Sequence, residues 1–407
     1  MKGMPLSARG VVALAFMLVA GMPAPARAQA VSGVIPRMGG YDIAVSDILA
    51  TSSAAVSTAS FWLEQGGRAL LSATPYTPET GITAQRAFDD GPGPDGEPGL
   101  VTAIAGTAAK RAAADPAPSG GNGTGNGNGN GRLTNGGSKN VNLPRTVGKA
   151  FFIGADGRPH WCSATSVRSD HGNLVATAGH CVYDVRPGTA ATTLRNWVFI
   201  PGYRRGGAPW GVYVGRQAFT HRDFVTYGDA DRDYAFVSVH TGLAPRRAGA
   251  PDQPANQPAN QATNRPANQA TNRPATRQEN RPDLTDTGRL GDRVGGQGLA
   301  YNLKIGRTLV VIGHSTRGGD SLASSYGRPF GAADPAIKAT GLIGLRPARA
   351  DAAGSPWLAG YRGPRGLGYL NGLTIGFTGS GRTATAVSPY FDGELHTVYQ
   401  AARQFRT

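Results

Sequence analysis

Two cysteines are all that the 407 residues contain, Cys162 and Cys181. That rules out a multi-bridge disulfide framework and any metal site built chiefly on thiolates. In an oxidising compartment a pair with no competitor has one intramolecular bridge to make. Closing a loop of this size stabilises by roughly 3 kcal/mol in the chain-entropy picture. Lysine is scarce, so the formal net charge of +15 is carried mostly by arginine. Such a balance suits anionic partners such as a cell-surface polymer. No stripe of interleaved basic and aromatic residues is present, which argues against specific nucleic-acid binding. Also missing is an apolar run of the ~20 residues that a membrane-spanning helix needs. The run VVALAFMLVAG falls short; with Lys2 and Arg9 before it and Ala26-Arg27-Ala28 after it, residues 1–28 read as an export signal. A soluble, secreted protein is expected.

What the chain has in excess is glycine, 60 residues, alongside 29 prolines, the mark of many turns and of segments that never pack. Residues 29–117 are rich in Ala, Ser and Thr with one apolar patch, ASFWLEQGGRALLSATPYTPE, and read as a pro-like segment. Residues 118–145 form a Gly/Asn-rich linker with too little apolar surface to offset chain entropy. From residue 146 to 407 the texture changes to short β-rich runs between turn residues, in two series. GKAFFIG, WCSATSVRS, NLVATAGHC, NWVFIPGY, GVYVGRQAF and DYAFVSVH make the first; RTLVVIGH, IKATGLIGL, SPWLAGY and LGYLNGLTIGF belong to the second. Two sets of strands suggest an all-β fold of two packed antiparallel barrels. Between them, residues 251–282 carry the octapeptide PANQATNR from Pro258 and again from Pro266, an extended surface insert too short to stack as a solenoid. Its arginines, Arg265, Arg273, Arg277 and Arg281, are the candidates for contact with an anionic polymer. At the C-terminus, Ser388 and Pro389 suit a helix start, and Phe391, Leu395, Val398, Ala402 and Phe405 recur at helical spacing. This terminal helix is expected to dock on the second barrel.

The most specific stretch is VATAGHCVYD, in which His180 directly precedes Cys181, so that a bridge to Cys162 fixes the backbone beside an imidazole. With its preceding strand, this segment resembles the general-base region of the trypsin-like (chymotrypsin-fold) serine peptidases. VGKAFF, WCSATSV, NWVFIPGY, VGGQGLAYN and SPWLAGY follow in the order found in secreted bacterial members related to the glutamyl endopeptidases. The resemblance covers most of the chain from about residue 147. It implies two barrels meeting at a cleft that binds an extended peptide or protein, a base at His180 and a carboxylate partner at Asp233. Asp229 and Asp231 are rivals for the carboxylate, but Asp233 leads the β-run.

The same resemblance exposes a departure. The attacking serine should stand three positions before Pro356, where this chain has Ala353. The oxyanion hole would be formed by the N–H groups of Ala353 and of Asp351, where the family uses glycine. Two readings stay open: a pseudoprotease that retains His180 and Asp233, or an active endopeptidase in which Ser355 has taken over as nucleophile. A third, from another class, is a basic cell-surface-binding protein. Gly366, Gly368 and Gly372 read equally as the wall of a peptide cleft or as turn glycines. The specificity position falls near Pro347, where no acidic residue stands to favour basic side chains. Arg145 is a candidate processing point. No metal, no cofactor and a monomer are expected; the remaining histidines are scattered without ligand spacing.

Overall fold

The computed structural model of the protein describes residues 43–77, 85–87, 91–107, 144–186, 189–246, 282–317, 320–346, 349–379 and 384–406, and everything below concerns those. The export signal, the linker apart from its last two residues, the octapeptide insert apart from Pro282, and Pro347 lie outside them.

The first half is a closed barrel. Strands β5 (Val147–Ile153), β6 (Pro159–Val167), β7 (Leu174–Thr177), β8 (Arg195–Pro201), β9 (Tyr213–His221) and β10 (Ala235–Val239) pair in the order β9-β8-β5-β6-β7-β10, and β10 pairs back onto β9. Full closure leaves no unpaired edge in that ring. The near-continuous apolar runs of β5 and β8 follow from burial on both faces. Ala150, Phe152, Trp197 and Phe199 point into the barrel with Cys162 and Cys181, while Phe151, Ile153, Val198 and Ile200 alternate to the outer face.

That outer face is covered by residues from the pro-like segment. The helical span α1 (Ser52–Ser72), capped by the Thr51 hydroxyl and broken by a kink at Glu64–Gly67, lays Ala55, Ala59 and Trp62 before the kink and Leu70 after it on that face. Trp62 is fully buried, and its Nε1 donates to the Asn196 carbonyl at 2.7 Å. Around the helix, β1 (Ile43–Val45) adds to β9 and β2 (Thr74–Pro75) adds to β6 in parallel. Two further strands, β3 (Gln85–Arg86) and β4 (Gly99–Val101), pair with the second half of the molecule.

The second half is built from two sheets forming a half-barrel. One runs β13 (Leu322–Gly327), β12 (Leu309–His314), β16 (Pro356–Arg362), β17 (Leu367–Leu373), β11 (Gly298–Tyr301), β4. The other runs β18 (Gly376–Thr378), β19 (Thr385–Pro389), β15 (Ala339–Leu345), β14 (Phe330–Asp334), β3. The fold is all-β with a C-terminal helix, as the strand pattern implied. Among the described residues no helix is long and apolar enough to cross a membrane.

The terminal helix α2 (Gly393–Arg403) departs from expectation in two respects. It is capped by Asp392, which accepts the Leu395 N–H at 3.0 Å. Ser388 and Pro389 instead end β19, the Ser388 hydroxyl accepting the Leu373 N–H at 2.8 Å, so strand pairing outcompetes the local capping signal. The helix also packs chiefly on the first barrel: Tyr399 meets Phe236 at 5.5 Å and Phe405 meets Phe219 at 5.4 Å between ring centroids. Leu395 is fully buried in this contact. Leu395→Ala is therefore expected to cost about 2–5 kcal/mol in urea unfolding. Tyr227→Ala, at a side chain 78% exposed, should stay within about 0.5 kcal/mol.

Candidate active site

His180 sits where β7 ends and a single 3-10 turn, Gly179–Cys181, begins. The turn packs so tightly that a Cβ at residue 179 would collide with the Phe224 ring, which accounts for a glycine before the histidine. On the other side Cys181 is bonded to Cys162 of β6, with Cα atoms 6.2 Å apart, and Trp197 Nε1 donates to the Cys181 carbonyl at 3.0 Å. The two sulfurs and the imidazole lie close enough to suggest a metal cluster, but sulfurs joined in a disulfide are not thiolate ligands.

Asp233 follows the turn Ala230–Arg232 and lies two residues before β10. Its Oδ2 is 2.6 Å from His180 Nδ1, and its Oδ1 accepts the His180 backbone N–H at 2.9 Å. Both side chains are buried. An ionised carboxylate can only accept, so Nδ1 is the donor in this pair. The two rival carboxylates are engaged elsewhere. Asp229 accepts the Asp231 N–H at 3.0 Å and pairs with Arg232 at 2.9 Å. Asp231 reaches the Thr340 N–H of the second half at 3.0 Å, and burial raises its pKa.

The outer nitrogen of His180 is buried and makes no hydrogen bond with any of the described residues. The loop that should supply a hydroxyl does not. The Ala353 carbonyl accepts the Ser163 N–H at 2.8 Å, and the Gly354 N–H donates to the Thr374 carbonyl at 2.7 Å. Gly354 has φ +76°, and a Cβ there would strike the Ser163 carbonyl and the Thr177 hydroxyl. The loop is thus clamped onto β6, one residue from Cys162. Ser355 is fully buried beneath Gly313 of β12, and its hydroxyl donates to the Ala352 carbonyl at 2.7 Å. Position 353 offers a methyl group; position 355 offers a hydroxyl turned inward.

Asp351 also behaves differently from a free carboxylate beside amide donors. Its Oδ1 accepts the Thr316 N–H at 2.7 Å and its Oδ2 accepts the Thr316 hydroxyl at 3.0 Å. The side chain therefore ties the loop of residues 351–355 to the turn after β12. Gly366 caps the Gly363–Arg365 turn at φ +64°, while Cβ atoms at Gly368 and Gly372 would meet Tyr361 and Ser388. These contacts are internal to the second half.

Three participants carried no sequence signal of their own. Ser163 anchors the loop through its N–H and accepts the His314 N–H on its hydroxyl at 3.0 Å; only its place next to Cys162 hinted at a role. Thr316 could not be linked to Asp351 across 35 residues. His314, at the end of β12, is fully buried, and neither ring nitrogen makes a hydrogen bond of ordinary geometry; the neighbouring Tyr203 carbonyl only nudges it upward. Burial, aided by the Lys149 charge, pushes its pKa down to about 3.

No protein-family model matches the chain, and no curated protein matches it by sequence. Solved structures similar to it include the protease Anisep from Arthrobacter nicotinovorans, 22% identical over 64% of this chain and 97% of that one, with a TM-score of 0.46. A thermostable serine protease, AL20, from an extremophilic microorganism is 23% identical with the same coverage and TM-score. A Glu endopeptidase is 14% identical over 65% of this chain and 94% of its own, with a TM-score of 0.41.

The state of His314 gives a pH prediction. Its pKa is lower folded than unfolded, so the unfolded chain binds the extra proton as pH falls below about 6.5, and the stability present above that point is lost towards pH 3. From pH 7 to 4.5 the wild type should lose about 2–3 kcal/mol more than His314→Leu, measured from urea midpoints at the two pH values.

Proposed function

We propose that this protein is a secreted trypsin-like serine peptidase homologue without a working nucleophile, a pseudoprotease that binds an extended peptide or protein in the cleft between its two halves. The observation that carries the reading is the state of His180 Nε2. The ring is oriented by Asp233 as a general base requires, yet its Nε2 makes no hydrogen bond with any of the described residues. Ala353 has no oxygen to offer, and the Ser355 hydroxyl is held by the Ala352 carbonyl. Without its nucleophile, a triad of this kind leaves on the order of 10³–10⁴-fold acceleration over water, from binding and oxyanion stabilisation alone. Export is supported by the N-terminal signal pattern, and the span 146–407 is taken as the peptidase-like domain.

A fluorophosphonate probe with read-out of the labelled peptide tests this reading. Wild type and Ser355→Ala should both remain unlabelled, whereas Ala353→Ser should acquire label at residue 353 if the backbone donors are intact. Labelling of the wild type that vanishes in Ser355→Ala and survives in Ala353→Gly would establish an active enzyme using Ser355 and end the pseudoprotease reading.

A further inference from the structure

Beside His180 the cleft is already filled, and by the chain itself. Strand β2 pairs in parallel with the start of β6, Thr74 opposite His160 and Pro75 opposite Trp161. The Tyr76 N–H then donates to the Trp161 carbonyl at 2.9 Å, and the Thr74 hydroxyl meets His160 Nδ1 at 3.0 Å. This pairing brings the Tyr76 ring to 6.1 Å from the His180 ring and 5.2 Å from Phe152, centroid to centroid. The same ring lies 5.3 Å from His160, centroid to centroid, and packs against the buried cluster that includes Cys162 and Cys181, so it belongs to the surroundings of the imidazole. The flanking chain is fastened on both sides: α1 to the first barrel, and β3 to β14 of the second half, where the Ala87 N–H reaches the Gly331 carbonyl at 2.9 Å. The segment is docked rather than fully embedded. A cavity of about 210 Å³ remains between Leu70, Ala73 and Pro75 on one side and Lys149, Trp161 and Thr316 on the other.

We propose that Thr74–Tyr76 is an internal ligand of the cleft: the β6 edge next to His180 accepts an extended peptide carrying an aromatic side chain, and the chain occupies that edge with its own strand. This rests on the peptide-binding reading above. Strand addition gives backbone hydrogen bonds largely independent of sequence, with the ring supplying preference. Because the occupant is tethered, it competes at an effective concentration on the order of millimolar, and a peptide in trans binds only where the internal strand has lifted. The contacts that must break include the two-residue ladder, the Tyr76 N–H on Trp161, the Thr74 hydroxyl on His160 and the Tyr76 ring against His160, Phe152 and His180. An arriving peptide can reproduce all of them.

The test compares full-length wild type with Tyr76→Pro, which removes both the ring and the N–H, and with Tyr76→Ala, which removes the ring alone. Two quantities are read: the rate of His180 modification by diethyl pyrocarbonate, by peptide mass spectrometry, and the affinity for a fluorescein-labelled copy of residues 71–77. Tyr76→Pro should modify at least ten-fold faster and bind the peptide at least ten-fold more tightly than wild type, the peptide restoring protection of His180; Tyr76→Ala should fall between them. Unchanged modification and affinity in either variant, with thermal unfolding like that of wild type, would overturn the proposal. Faster modification with no peptide binding would uphold the cover over His180 and sink the peptide-binding reading. Should Tyr76→Pro fail to fold, Tyr76→Ala carries the comparison alone.

Discussion

One carboxylate holds the candidate site from two directions. Asp233 takes the His180 ring on Oδ2 and the His180 backbone N–H on Oδ1, so a side chain from the approach to β10 fixes both the orientation of the imidazole and the turn that presents it. The disulfide to β6 fixes the next residue. If the carboxylate were lost, two buried donors would be stranded in an interior where an unpaired polar group costs about 1–3 kcal/mol. The pair is therefore architecture as much as chemistry. A histidine and an aspartate in this geometry do not by themselves establish an activity, because one fold hosts many functions.

The loop of residues 351–355 is held in a comparable way. Its path is set by backbone contacts, the Ala353 carbonyl on Ser163 and the Gly354 N–H on Thr374, and by a left-handed glycine lodged against the Ser163 carbonyl and the Thr177 hydroxyl. None of these depends on the side chain at 353, so alanine there leaves the loop in place. Bringing Ser355 to the imidazole is a different matter. Its hydroxyl would have to leave the Ala352 carbonyl and a fully buried position, and a register shift would move Gly354, the one residue whose conformation and clearance the clamp demands. Asp351, tied to Thr316, holds the loop from its other end.

Much of this was legible in the chain. The readings of His180 and Asp233 rest on the resemblance of VATAGHCVYD and of the β-run led by Asp233 to segments of the trypsin-like peptidases, and two cysteines allow one bridge. The barrel strands showed as short apolar runs between turn residues, although their continuity hid a second cause: β5 and β8 are apolar on both faces because α1 covers the outside. What stayed hidden depended on partners far away in sequence. His314 looked like any isolated histidine until β12 placed it in the interior. Asp392 caps the terminal helix although Ser388-Pro389 carries the local start signal, because the Ser388 hydroxyl accepts the Leu373 N–H of another strand. The pro-like segment showed one apolar patch and no hint of which surface it would meet.

That surface constrains how the segment can act. Without α1 the outer face of the first barrel would present Phe151, Ile153, Val198 and Ile200 to water, all buried at present, and a contiguous apolar patch of that kind favours association. Trp62, fully buried and bonded to the Asn196 carbonyl, fastens the helix to that face. The strand that follows is held by much less, and a cavity lies beneath it. Ala73 is where the two regimes meet: before it the chain is core, after it the chain is ligand. Occupation of the His180 edge can therefore change while the barrel keeps its cover, which separates access to the cleft from the stability of the fold.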